Sequence, residues 1–100
     1  MRRAAKKDVN HDRISGIFQL CGCVVIDTSA CHGSLLDIIV YGPFTREFYF
    51  VEIKNGNGKL TKFEKEFIEK HKSNSVIIRS DEEAINFCQK IANIDCILLP

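Results

Sequence analysis

Three charged residues sit where the surrounding sequence reads as sheet: Asp37 inside "LLDIIVY", and Glu52 and Lys54 inside "EFYFVEIK". A carboxylate among apolar neighbours is costly to desolvate unless something pairs with it. Glu52 and Lys54 share one face of their strand, because strand side chains alternate with period two. A hairpin centred between Phe44 and Thr45 pairs positions that sum to 89, and 37 and 52 are such a pair. Cross-strand partners have Cβ atoms about 4.5–5.5 Å apart, so this register sets two acids side by side with Lys54 on the same face. A slip of one residue would send the acids to opposite faces. Adjacent carboxylates repel unless a proton or a cation lies between them, and all-oxygen donors favour Mg²⁺ or Mn²⁺ with waters completing the shell. The plainer alternative is an amphipathic hairpin in which Glu52 and Lys54 face solvent and Asp37 answers Lys54 as a salt bridge.

The elements that must position these groups are legible in the periodicity. Ile14, Ile17, Phe18 and Cys21 recur at helical spacing and Gly22 follows as a stop, which predicts a first helix from about Asp8 or earlier to about Leu20. "CVVIDT", "LLDIIVY" and "EFYFVEIK" read as three strands, with "ACHGS" a loop and "GPFT" a turn. Thr61 with Glu64, and Ser80 with Glu83, are capping-box spacings. The first opens a helix with a buried stripe of Phe63, Phe67 and Ile68, ending near His71 or Lys72. The second opens a helix with Ala84, Ile85, Cys88, Ile91 and Ala92 on one face. Between them "SVIIRS" is a fourth strand. The expected order is α-β-β-β-α-β-α, an α/β fold with a mixed sheet flanked by helices. The tail "IDCILLP" is apolar without a clear period and reads as an edge strand, a packed extension or part of a subunit interface.

One hundred residues, 45% hydrophobic and 27% charged, predict one globular domain over 1–100. No run of about 18 apolar residues is present, which argues against a membrane span. The basic start "MRRAAKKD" lacks the apolar stretch of a secretory signal, so an intracellular, cytoplasmic setting is expected. Five cysteines, an odd number, suit a reducing compartment. Cys21, Cys23, Cys31 and His32 allow a Cys₃His zinc reading, but Cys21 and Cys23 flank only Gly22 and continue apolar patterns, as small buried hydrophobes do. Cys88 and Cys96 read the same way. The net charge of +1 hides a basic arm, Arg2, Arg3, Lys6 and Lys7, and a lysine-rich middle that includes Lys59 and Lys62. Such clusters suit a phosphate backbone, although a solvated helix face explains any one lysine equally well.

An Asp on the second strand followed by Glu-Ile-Lys on the third resembles the PD-(D/E)xK, restriction endonuclease-like superfamily, whose core order is α-β-β-β-α-β. More narrowly, "RRAAKKDVNHDRI", "DTSACHGSLLDIIV", "VEIKNGNGKLT" and "VIIRSDEEAINF" resemble the stand-alone VRR-NUC nucleases of phages and bacteria, up to about Phe87. The resemblance implies a Mg²⁺- or Mn²⁺-dependent DNA endonuclease, with Asp37, Glu52 and the Ile53 carbonyl holding the metal and Lys54 beside the attacking water. It also implies a polar group from the first helix, for which Asn10 and His11 are the candidates. Branched or four-way DNA is the implied substrate, a homodimer the implied assembly, and a bacterium or phage-infected cell the implied setting. Leu36 stands where the family commonly has proline. Gly56 and Gly58 are expected to turn the chain away from the site while Lys59 reaches a phosphate. A binding module that keeps the fold without cleaving is the competing expectation.

Overall fold

The β2–β3 hairpin has the register that sets paired positions to a sum of 89: Ile38 opposes Val51, Val40 opposes Tyr49 and Gly42 opposes Glu47. The structure, a computed structural model, describes residues 10–31 and 33–93. Its elements run α1 (His11–Leu20), β1 (Val24–Asp27), β2 (Ile38–Gly42), β3 (Glu47–Ile53), α2 (Lys62–Lys70), β4 (Ser75–Ile78) and α3 (Asp81–Ala92). This is the expected α-β-β-β-α-β-α order. The four strands lie in sequence order in one sheet. β1, β2 and β3 pair antiparallel, whereas β4 runs parallel to β3, so the chain must cross over between them and α2 is that crossover.

The two sheet faces are covered differently. Val40, Tyr49, Val51 and Ile53 point to the face that packs on α1 and α3, with Ile14, Phe18, Ala84, Cys88 and Ile91 filling the core. Phe87 bridges the layers, its ring edge-on to both Phe18 and Tyr49. On the other face Phe50 meets Phe67 of α2 at 4.9 Å between ring centroids. The register places Val24, Tyr41 and Phe48 in a row on that same face; Val24 and Phe48 remain 56% and 54% exposed, so α2 covers only the β3 side.

Four expectations need correction. Leu35 and Leu36 are not in β2: Leu35 makes an isolated bridge, and the Thr28 hydroxyl donates to the Leu36 carbonyl at 2.7 Å, which ties this segment to the turn after β1. Asp37 therefore precedes the strand, and its N–H donates at 3.1 Å to the carbonyl of Val51, the partner of Ile38, so the chain stays on β3 while the one-to-one pairing ends at Ile38. The α2 stripe of Phe63, Phe67 and Ile68 is only half-buried, because this helix has one neighbour layer. The second capping box is half formed: Ser80 accepts from the Glu83 N–H, but the Glu83 carboxylate accepts from the Arg79 N–H at 2.6 Å instead of from Ser80. The part of the first helix expected before Asn10, the basic arm and the tail 94–100 lie outside the described residues.

Candidate functional site

Asp37 and Glu52 come together at the open end of the β2–β3 hairpin, each held by a different device. Asp37 is fixed by the backbone: its Oδ2 accepts from the Ile53 N–H at 2.8 Å, across the hairpin. Glu52 is fixed by burial, with only 3% of its side chain exposed. That overturns the reading of Glu52 as a solvent-facing strand residue; α2 lies over this end of the sheet and encloses it. Lys54 follows β3, its N–H bonded to the Ile78 carbonyl at 3.0 Å, and its ammonium lies 3.4 Å from Glu52 Oε2. The expectation of Lys54 beside Asp37 is thus met differently: the ammonium is shared between Glu52 and a third acid, Glu64, at 3.0 Å.

Glu64 is the residue that sequence reasoning missed in this role. It was visible as the acidic member of a capping box, and that box is complete: Thr61 accepts from the Glu64 N–H, and Glu64 Oε1 accepts from the Thr61 N–H at 2.8 Å. The same Oε1 is the one that meets Lys54. The helix cap thereby doubles as the anchor for the lysine.

The electrostatics follow from crowding. Burial pushes the Glu52 carboxyl up to about 9, with the Asp37 carboxylate and a hydrogen bond to Glu64 adding to the shift and Lys54 opposing it. Glu52 therefore carries the proton that two adjacent acids require. Burial also raises Asp37, against the Ile53 N–H and a hydrogen bond from Glu52 that pull it down. Glu64 goes the other way: burial would raise it, but the bonds from Thr61, Lys54 and Glu52 hold it below its ordinary value. Burial disfavours the Lys54 charge, and the Glu64 and Glu52 carboxyls outweigh it, leaving the ammonium firmly protonated.

The first helix brings His11, not Asn10, toward this end. Asn10 occupies the helix N-cap without a side-chain cap bond. His11 is 3% exposed, its Nε2 lies 3.6 Å from Asp27 and its Nδ1 3.5 Å from Asp12, and it is near enough to Asp37 to act on that carboxyl. Asp27 is itself held by the N–H and hydroxyl of Ser29. The Ile53 side chain is core, 2% exposed.

Beyond Lys54, Gly56 adopts φ +45°, a conformation that favours glycine, and the Gly58 N–H closes on the Asn55 carbonyl at 2.7 Å. Arg79 clasps this loop, donating from Nη1 to the Gly56 and Gly58 carbonyls at 2.8 and 2.7 Å. Lys59 and Lys62 are exposed on either side of Thr61.

The cysteines behave as apolar residues. Cys21, Cys23 and Cys88 are core residues, and Cys31 is exposed in the short 3-10 turn Ser29–Cys31. His32 and Cys96 lie outside the described residues. Among the described residues, no three His, Cys, Asp or Glu side chains form a finished metal cage. Magnesium does not need one, since it is commonly held by one or two carboxylates and completes its shell with water and phosphate. The pair Asp37 and Glu52, forced to share a proton, has the donor chemistry for such an ion. Among the described residues no helix is long and apolar enough to cross a membrane.

Compared with family models, with curated proteins and with solved structures, the chain matches none.

Proposed function

We propose that this chain is a divalent-cation-dependent DNA endonuclease of the PD-(D/E)xK type, akin to the stand-alone VRR-NUC nucleases. The observation that carries the reading is the convergence of Asp37 and Glu52, which hydrogen-bond to one another, with the Lys54 ammonium 3.4 Å from Glu52. Asp37, Glu52 and the Ile53 carbonyl are the groups to hold Mg²⁺ or Mn²⁺. When bound, such an ion supplies charge neutralisation at a non-bridging phosphate oxygen and acidifies a water.

The protein's own groups do the positioning. The Ile53 N–H fixes the Asp37 carboxylate. Lys54 presents positive charge beside the reacting phosphate; as a protonated amine it cannot itself accept the water's proton. Glu64, anchored in the cap of α2, holds that ammonium in place. Lys59 and Lys62, with Arg2, Arg3, Lys6 and Lys7 of the basic arm, suit the phosphate backbone. Branched or four-way DNA and a two-fold dimer are part of the proposal, since paired cuts need two sites at a fixed separation. A bacterial or phage-infected cytoplasm is the setting it entails.

A cleavage panel of linear, flapped and four-way DNA in Mg²⁺ or Mn²⁺, run with wild type and Asp37→Asn beside a measurement of subunit number, tests the reading. Divalent-dependent cutting by wild type and its loss in the variant are expected. Equal DNA binding with no cutting by either would leave a binding module of the same fold.

A further inference from the structure

A cleft of ≈ 240 Å³ opens directly onto the candidate acids, and its chemistry is not theirs. Asp37, Glu52 and Glu64 line one part of it, while Leu35, Leu36 and Phe63 line another. Leu36 is buried and Leu35 and Phe63 are half-buried. Phe63 ends an aromatic row between β3 and α2: Phe50 packs edge-on against Phe67, and Phe67 lies tilted against Phe63 at 5.8 Å. Two of the hydroxyls that reach the cleft already donate within the protein, and the third accepts from the backbone. Thr28 donates to the Leu36 carbonyl, Ser29 donates to Asp27, and Thr61 accepts from the Glu64 N–H. What the cleft offers a ligand is therefore an apolar, aromatic surface beside a carboxylate cluster, flanked at the start of α2 by the exposed Lys59 and Lys62.

Resting on the nuclease reading, we propose that this cleft takes the base of one unpaired nucleotide of the DNA strand, stacked on Phe63, with the adjoining phosphate at the acids. Size sets the first condition. The volume falls below the roughly 300–1,000 Å³ of pockets that enclose drug-sized ligands, which leaves room for a single base and none for a base pair. Chemistry sets the second. Every base has a π-face, so stacking on Phe63 accepts bases without reading their identity. The substrate class that follows is DNA with an unpaired strand at the cut, such as a flap or a splayed junction, because a paired base must first be extracted from its stack.

The test uses the full chain with 2-aminopurine oligonucleotides in three forms, single-stranded, flapped and fully duplex, titrated in Ca²⁺ buffer, with cleavage followed separately in Mg²⁺. Wild type is expected to bind unpaired and flapped DNA more tightly than duplex and to change the fluorescence of a base at the cut. Phe63→Leu keeps the apolar volume and removes the aromatic face, so binding of the unpaired strand should weaken by about five- to a hundredfold, the range of one base–aromatic stack. Phe63→Trp should restore it. Unchanged affinity in Phe63→Leu, equal binding of duplex and flap by wild type, or no DNA binding at all overturns the inference. Intact binding behaviour with no cleavage in Mg²⁺ supports the cleft and overturns the nuclease reading alone. Cleavage that ignores Phe63 does the reverse.

Discussion

Lys54 and Glu64 meet at 3.0 Å through the same carboxylate oxygen that caps α2 by accepting the Thr61 N–H at 2.8 Å. The N-terminus of a helix and the orientation of the ammonium are thus one arrangement. Glu64→Gln keeps an oxygen for Thr61 but removes the charge that holds Lys54. It should leave thermal stability nearly unchanged and lower cleavage by about tenfold, one charge-assisted bond at about 1.4 kcal/mol. Glu64→Ala should lose the same activity and about 1 kcal/mol of stability with the cap. A pH–rate profile separates the two effects, because only a displaced lysine moves its alkaline limb.

Glu52 makes the ion-free protein sensitive to alkali. Its folded-state pKa of about 9 lies above the ordinary glutamate value of 4.5, so between these values the native state holds a proton that the unfolded chain releases. Stability then falls as pH rises through that window, at a slope of up to about 1.4 kcal/mol per pH unit, and is fully present below the lower value. Urea midpoints in chelator from pH 5 to 9 measure this, and Glu52→Gln should flatten the curve. A rise in stability across the window would refute it.

The same proton must leave when a cation arrives. Calorimetric titration with Mn²⁺ should show proton release that depends on buffer ionisation enthalpy, and affinity that increases from pH 6 to 8. Affinity independent of pH would mean that Glu52 is not a ligand.

Asp37 has a structural duty that a simple deletion would confuse with chemistry. Asp37→Ala orphans the Ile53 N–H, at a cost of about 1–3 kcal/mol, whereas Asp37→Asn retains an acceptor for it. Both should abolish cleavage; only the alanine variant should lower Tm by several degrees.

The thiols divide by packing. A maleimide reagent should modify the exposed Cys31 in the native protein and spare Cys21, Cys23 and Cys88, all at or below 6% exposure, until denaturant is added. Peptide mapping by mass spectrometry reads this residue by residue.

The parts of the site that depend on local spacing were legible in the sequence. Turn length and strand alternation sufficed for the hairpin register from Ile38 and Val51 to Gly42 and Glu47, and Thr61 with Glu64 sufficed to start α2. The burial of Glu52 was not legible, because it depends on α2 folding back over the sheet, a contact between segments about ten residues apart whose pattern shows only half-buried phenylalanines. The sharing of Lys54 by Glu64 was hidden for the same reason: the capping-box spacing announces a helix start and is silent on what lies beneath it. Leu35 and Leu36 were misread as strand because an apolar run looks alike whether it joins a ladder or is tied down by a threonine hydroxyl.

The turn from Gly42 to Arg46 is closed by the Arg46 N–H on the Gly42 carbonyl at 2.7 Å and clamped by the Ile91 carbonyl, which accepts from the N–H groups of Phe44 and Thr45. It works as a ruler as much as a connector. Relatives of this chain should tolerate changed side chains there far more readily than a gained or lost residue, and length differences that survive should come in twos, preserving which way residue 37 looks.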